Sequence, residues 1–264
     1  MCSIFGIGFM HGHEFDSAGA GTAVVSRLLK EAEAGGIRAS GVAIMRRKNL
    51  GVLRRPIRGS DLAKSDEYKT FMDEHMKLGK AANLGNPVTA VIGHARTPTV
   101  GDPSNNYNNH PVVTGHIAGV HNGGIGNHHA IFKKFSKLDR IAQVDTEAIF
   151  QLIAYFTTQW KSRTVRAIQK ASKYLVGGYA CGMLNARSPF NLYLFRNSMP
   201  TKVLYYSKMG IVAFATQERF IHEAFKPFKS AMGKPVEIIM PTDSGIAFNL
   251  FNKSICTFKL HKGK

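Results

Sequence analysis

Seven short β-rich segments crowd the chain after Gly178, at residues 179–184, 192–196, 202–206, 210–215, 236–240, 244–249 and 254–261, and this succession constrains the fold more than any other feature. Most of the C-terminal half is therefore sheet. Sheet on this scale needs covering layers, and the N-terminal half supplies both strands and helices. A strand is expected at 3–10, then a helix capped by Asp16 or Ser17 and running to about Ala34, where Gly35-Gly36 ends it. Strands at 40–47 and 51–55, joined across Lys48-Asn49, form a hairpin. Residues 60–81 read as helix, with acids early and lysines late to suit the helix dipole, and Gly85-Asn86-Pro87 breaks the pattern. Strands at 88–94 and 115–121 flank a polar loop at 97–109, and the second of them ends in Asn122-Gly123-Gly124. Asp145-Thr146-Glu147 opens a helix to about Thr158, and another helix spans 161–176. No internal repeat or long linker interrupts, so residues 1–264 read as one domain of two sheets with helices covering them.

With 44% apolar and 20% charged residues, the composition is that of an ordinary globular protein and excludes a disordered or fibrous one. The longest apolar runs, such as 210–215, fall far short of the ~18 residues a membrane-spanning helix needs. The N-terminus has neither a basic n-region nor a small-residue cleavage site. A cytoplasmic protein with no membrane partner is the expectation. Cys2, Cys181 and Cys256 form no CxxC pair, and the 11 histidines show no HExxH spacing. Neither a metal nor a cofactor is implied.

The charge is less ordinary. Lys and Arg number 35 against 17 Asp and Glu, a net +18, and no carboxylate occurs between Ala148 and Gln217. In the helix expected at 161–176, Arg163, Arg166, Lys170 and Lys173 recur at spacings of three and four, opposite Val165, Ile168, Ser172 and Leu175. This stripe should face solvent, either as a solubilising surface or as a binding face for nucleic acid or another polyanion.

Chemistry gathers around Cys2. A Cys next to the initiator Met, once exposed by methionine removal, carries a thiol and an α-amine together. The amine titrates at about 7.7 to 8.0 and can take the thiol proton, in the manner of N-terminal nucleophiles. The plainer reading is a small hydrophobe that starts a strand. Asn122-Gly123 alone reads as a turn, Asp145 as a helix cap, and Arg96 as half of a surface ion pair.

Five motifs change that balance: Cys2-Ser3-Ile4-Phe5-Gly6-Ile7; Gly93-His94-Ala95-Arg96-Thr97-Pro98-Thr99; Asn109-His110-Pro111; Val120-His121-Asn122-Gly123; and Val144-Asp145-Thr146-Glu147. In order and spacing they resemble the class II glutamine amidotransferases, the N-terminal cysteine branch of the Ntn-hydrolase fold. That resemblance holds at motif strength over about the first 150 residues. It implies an α+β fold, a four-layer αββα sandwich of two mainly antiparallel sheets flanked by helices. It also implies a glutaminase in which a γ-glutamyl thioester forms on Cys2, ammonia leaves, and water releases glutamate. Asn122 and the Gly123 N–H then form the oxyanion hole. Arg96 is suited to grip the substrate carboxylate with a bidentate fork and Asp145 to hold its ammonium, while Thr97 and Thr99 hold the loop or the substrate. His94 and His110 are candidates to order the site, outside the catalytic set.

Two departures accompany the resemblance. Gly35 stands where the family carries an Arg near the nucleophile, with Arg38 three residues on as the candidate to reach back, and Ser3 replaces the usual Gly. No synthase motif is visible, so the ammonia acceptor is expected to be a separate protein. The competing readings are an inactive or weak Ntn-fold protein that binds a polyanion, and another N-terminal cysteine hydrolase.

Overall fold

The computed structural model describes residues 2–12, 15, 19–76, 86–159, 163–261 and 263. Its first half contains β1 (Ser3–Phe9), α1 (Ala20–Ala32), β2 (Ala39–Arg46), β3 (Leu50–Arg55), α2 (Gly59–Leu62), α3 (Asp66–His75), β4 (Val88–Arg96), β5 (Val112–Thr114), β6 (Ile117–Ile125) and α4 (His128–Lys134). Its second half contains α5 (Thr146–Gln159), α6 (Thr164–Ser172), β7 (Gly177–Asn185), β8 (Asn191–Arg196), β9 (Lys202–Tyr206), β10 (Ile211–Ala215), α7 (Glu218–Phe225), α8 (Lys229–Met232), β11 (Val236–Glu237), β12 (Ser244–Asn249) and β13 (Ser254–Lys259).

The strands form a seven-stranded sheet, ordered β11-β9-β10-β1-β4-β2-β3, and a six-stranded sheet, ordered β13-β12-β8-β7-β6-β5. The neighbours pair antiparallel. Three apolar clusters separate four layers. One lies between α1, α7 and the first sheet, and one between α5, α6 and the second sheet. The third fills the space between the sheets. The αββα sandwich that the motifs implied is the observed architecture.

The alternation of side chains along each strand explains this layering. In β1, Phe5, Ile7 and Phe9 face the helices, while Ile4 faces the other sheet. Gly6 and Gly8 share the Ile4 face, where a Cβ would run into the Phe214 ring and the Leu250 side chain. The sheets can approach at β1 only because those positions lack side chains.

Several elements differ from the pattern read in the sequence. The helix expected at 60–81 is broken into α2 and α3, because the Ser65 hydroxyl caps α3 by accepting from the Tyr68 N–H at 3.2 Å. The helix at 161–176 is confined to Thr164–Ser172, and the strand at 236–240 to Val236–Glu237. Asn122-Gly123-Gly124 lies inside β6, not beyond its end, since pairing with β7 continues to Ile125 opposite Gly177. Among the described residues β5, α4, α7 and α8 are additions to the expected elements. Met1, Asp16, Ser17, residues 77–81, Gly85 and Lys161 lie outside the described residues. Among the described residues no helix is long and apolar enough to cross a membrane.

Candidate active site

Alternation also decides which polar side chains meet. Ala90 and Ile92 of β4 point between the sheets, so His94 and Arg96, at the same parity, do as well. Ala118 and Val120 of β6 point into the same layer, which brings Asn122 there. Cys2 shares the parity of Ile4. These residues therefore converge at one end of the inter-sheet space, with Asp145 arriving at the N-terminus of α5.

Cys2 is half-buried, and its thiol lies 3.4 Å from the Thr97 carbonyl, toward which it can donate. Burial pushes the thiol above its ordinary pKa. The Thr97 backbone and the nearby Arg96 guanidinium act the other way, and the Asp145 carboxylate adds to the rise. The thiol thus keeps its proton at neutral pH until a base removes it.

Arg96 is buried, and loop carbonyls already take much of its guanidinium. Nη1 donates to Asn109 Oδ1 at 3.1 Å, and Nη2 donates to the Gly101 carbonyl at 3.1 Å and to the Val100 carbonyl. Nε–H and one Nη1–H remain, which do not form a parallel fork. Burial lowers its pKa, while Cys2, Asp145 and Asp102 raise it.

Asn122 is fully buried, yet neither its Nδ2 nor its Oδ1 has a protein hydrogen-bond partner. Buried amides are nearly always paired, which sets Asn122 apart from the rest of the interior. Gly123 adopts φ 138°, a left-handed value, and an added Cβ would overlap the Gly178 carbonyl. Asp145 is half-buried, with Oδ2 accepting from the Ile125 N–H at 2.6 Å and Oδ1 from the Thr146 N–H at 2.9 Å. Neither bond is that of a side-chain cap, which would reach the second or third N–H of α5, and the carboxylate keeps lone pairs for a cation.

The remaining candidates are placed differently. Thr97 is exposed, and its hydroxyl donates to the Gly35 carbonyl at 3.0 Å, holding the loop. Thr99 is exposed, with no side-chain hydrogen bond. The Arg38 side chain is also exposed and makes no ion pair; only its N–H meets this region, donating to the Arg96 carbonyl at 3.1 Å. It does not replace the Arg missing at Gly35. On α6, Arg163, Arg166 and Lys173 are exposed without an ion pair and Lys170 is half-buried. Lys173 also borders a cavity of about 660 Å³ that it shares with Lys134, Tyr174 and His261. Among the described residues no group of three or more His, Cys, Asp or Glu is placed to hold a metal ion.

His94 and His110, the candidates to order the site, are joined in the structure by His121. His94, His110 and His121 are buried; His110 and His121 meet the Thr146 hydroxyl, and His94 meets the His121 carbonyl and stacks on His110. Their motif positions, one or two residues from Arg96, Asn109 and Asn122, were the available signal.

Residues 98–223 match a family model described as "Glutamine amidotransferase domain". The match takes in Asn122, Gly123 and Asp145 and starts two residues after Arg96. The chain is 30% identical over 204 residues to glutamine–fructose-6-phosphate aminotransferase (isomerizing) of Staphylococcus aureus (strain N315), covering 76% of this chain and 30% of that protein. It is 34% identical over 152 residues to the protein of the same name from Staphylococcus epidermidis (strain ATCC 12228 / FDA PCI 1200), covering 55% of this chain and 25% of that one. The fold is similar to glutamine phosphoribosylpyrophosphate amidotransferase from B. subtilis complexed with ADP and GMP, with TM-score 0.67 and 15% identity, over 98% of this chain and 49% of that one. That likeness shows the fold alone. The chain spans about 30% of the length of the first of these curated relatives.

Proposed function

Because the chain belongs to the class II glutamine amidotransferase domain family and has its Ntn-hydrolase-like fold, we propose that it hydrolyses the side-chain amide of glutamine and passes ammonia to a separate acceptor enzyme. The observation that carries this reading is the buried, unpartnered Asn122 amide on the same inter-sheet face as Cys2. A hydrolase needs such a donor for charge that develops only during the reaction.

In the processed chain the α-amine of Cys2 takes the thiol proton, directly or through water, and the sulfur attacks the amide carbon. The oxyanion meets Asn122 Nδ2 and the Gly123 N–H. Collapse breaks the C–N bond, the proton passes to the leaving nitrogen, and ammonia departs from a γ-glutamyl thioester. Water, deprotonated by the same amine, then releases glutamate and returns the thiol. Asp145 holds the substrate ammonium. The substrate carboxylate competes with the Val100 and Gly101 carbonyls for the Arg96 guanidinium, so a bidentate grip requires those contacts to open.

Glutamate release from glutamine, by protein whose mass confirms loss of Met1, tests this reading beside Cys2→Ala. Release by the wild-type chain and only background release by the variant is the expected result. An unchanged rate in the variant removes Cys2 from the reaction.

A second reading is favoured by Arg163, Arg166 and Lys173, which are exposed without an ion pair along α6 and at its ends, and by the neighbouring Lys134–Lys173 cavity. They form a face for a polyanion, with nucleic acid as the probe. Binding of a labelled oligonucleotide should weaken steeply as salt rises. It should weaken further in a quadruple Ala variant at Arg163, Arg166, Lys170 and Lys173, and equal binding by that variant excludes the face.

A further inference from the structure

The segments that carry Arg96, its partner Asn109, Asn122 and Asp145 each contribute one member of a buried polar cluster beside them. His94 precedes Arg96 by two residues, and His110 follows Asn109, the acceptor of the Arg96 Nη1 bond. His121 precedes Asn122, and Thr146 follows Asp145. All four are buried. The His94 and His110 rings stack at 4.1 Å between centroids with 16° between their planes. His94 Nε2 lies 3.0 Å from the His121 carbonyl, and His110 Nε2 and His121 Nδ1 each lie 2.9 Å from Thr146 Oγ1.

Counting donors orders the cluster. The His121 carbonyl only accepts, so His94 carries its proton on Nε2. The Thr146 hydroxyl has a single proton and meets two ring nitrogens, His110 Nε2 and His121 Nδ1, so it donates to at most one of them, at least one ring donates to Oγ1, and the tautomers of the two rings are coupled through it. Burial lowers the pKa of all three rings, that of His94 to about 3, which is consistent with neutrality.

The consequence falls on Asn122. Its own amide has no protein hydrogen bond, so its aim depends on the backbone of β6. That backbone is held at His121 from two sides, by His94 on the carbonyl and by Thr146 on the ring. We propose that Thr146 is a positioning residue for the glutaminase reaction, its hydroxyl locking the His110 and His121 rings in one tautomer and so holding Asn122 and the Asn109–Arg96 brace in register with Cys2. The inference rests on the glutaminase reading given above.

The test uses Thr146→Val, which keeps the shape and removes both hydrogen bonds, and Thr146→Ser, which keeps the hydroxyl. Glutamine hydrolysis should lose about 10- to 100-fold in kcat in the Val variant, as for other small misplacements of reacting groups. KM should change little, and the Ser variant should recover most of the loss. Long-range ¹⁵N–¹H spectra of the histidine rings, recorded without substrate, should show His94 as the Nε2–H tautomer and one fixed tautomer each for His110 and His121 in the wild type. His110 and His121 should depart from that pattern in the Val variant. Wild-type kcat in the Val variant, equal losses in both variants, or unchanged ring spectra would each overturn the proposal. A wild-type chain that releases no glutamate overturns the glutaminase reading itself, and the ring spectra then report on the cluster alone.

Discussion

Asn122→Ala should lower kcat for glutamine hydrolysis by about 10²- to 10³-fold, the usual loss on removing one oxyanion-hole donor, while leaving the fold as stable as before or more so. The two halves of this result have one cause. Asn122 is fully buried and its amide has no protein partner. A buried polar atom in that condition costs roughly 1–3 kcal/mol, so the folded state gains nothing from keeping it. Residues that burden the fold and persist in a site are held there for the reaction. KM should move little, because the amide is aimed at charge that appears only after attack. Steady-state kinetics and thermal unfolding of the same preparation check both halves. A variant that loses stability in proportion to activity would make Asn122 a structural residue and remove the main support for the oxyanion hole.

The second large effect is expected at Gly36. Replacing it by alanine should destabilise the chain by about 1–3 kcal/mol, the range for overpacking a filled site. It should also raise KM for glutamine about tenfold or more, since misplacement of a gripping group by an ångström is costly. Gly36 has φ 169°, ordinary extended backbone, so torsion is not what requires glycine here. The requirement is close approach. An added Cβ would overlap the Arg96 carbonyl carbon and the Thr97 nitrogen, atoms of a strand end that cannot swing aside like a side chain. The segment is docked along that strand end by the Arg38 N–H on the Arg96 carbonyl and the Thr97 hydroxyl on the Gly35 carbonyl, at 3.1 and 3.0 Å. Pushing it away shifts Arg96 and the Thr97 carbonyl that faces Cys2. Gly124→Ala is the control, because its Cβ would find Asp145 Oδ2 at 3.8 Å and nothing nearer. Its stability should stay within about 0.5 kcal/mol of the wild type. Chemical denaturation and glutamine kinetics on both variants decide the matter, and equal behaviour of the two would show that Gly36 is not a packing constraint.

Much of the layered fold could be read from local patterns. Phe5, Ile7 and Phe9 alternate along β1, and Ala148, Ile149, Leu152, Ile153 and Phe156 recur at helical spacing along α5. Departures from those patterns have a tertiary cause in one place and a local one in another. Asn122-Gly123-Gly124 has the composition of a turn, yet β7 supplies paired backbone opposite all three residues and keeps them in the strand. The break in the helix expected at 60–81 is local, set by the Ser65 cap on Tyr68 three residues on.

The same division holds at the site. Residue types that a glutaminase needs stand in short ordered motifs, so Cys2, Arg96, Asn122, Gly123 and Asp145 are legible as candidates in the sequence by itself, as is an αββα architecture through the motifs' resemblance to a family. What the tertiary structure alone decided is how those residues are held. It put the Arg96 guanidinium on the Val100 and Gly101 carbonyls, docked Gly36 on the end of β4, left Arg38 in solvent and joined His110 and His121 through Thr146. These contacts join segments far apart in the chain, across two sheets whose register and separation depend on all their strands at once. A motif records the chemistry of its own few residues, and no local pattern records the distance to another strand.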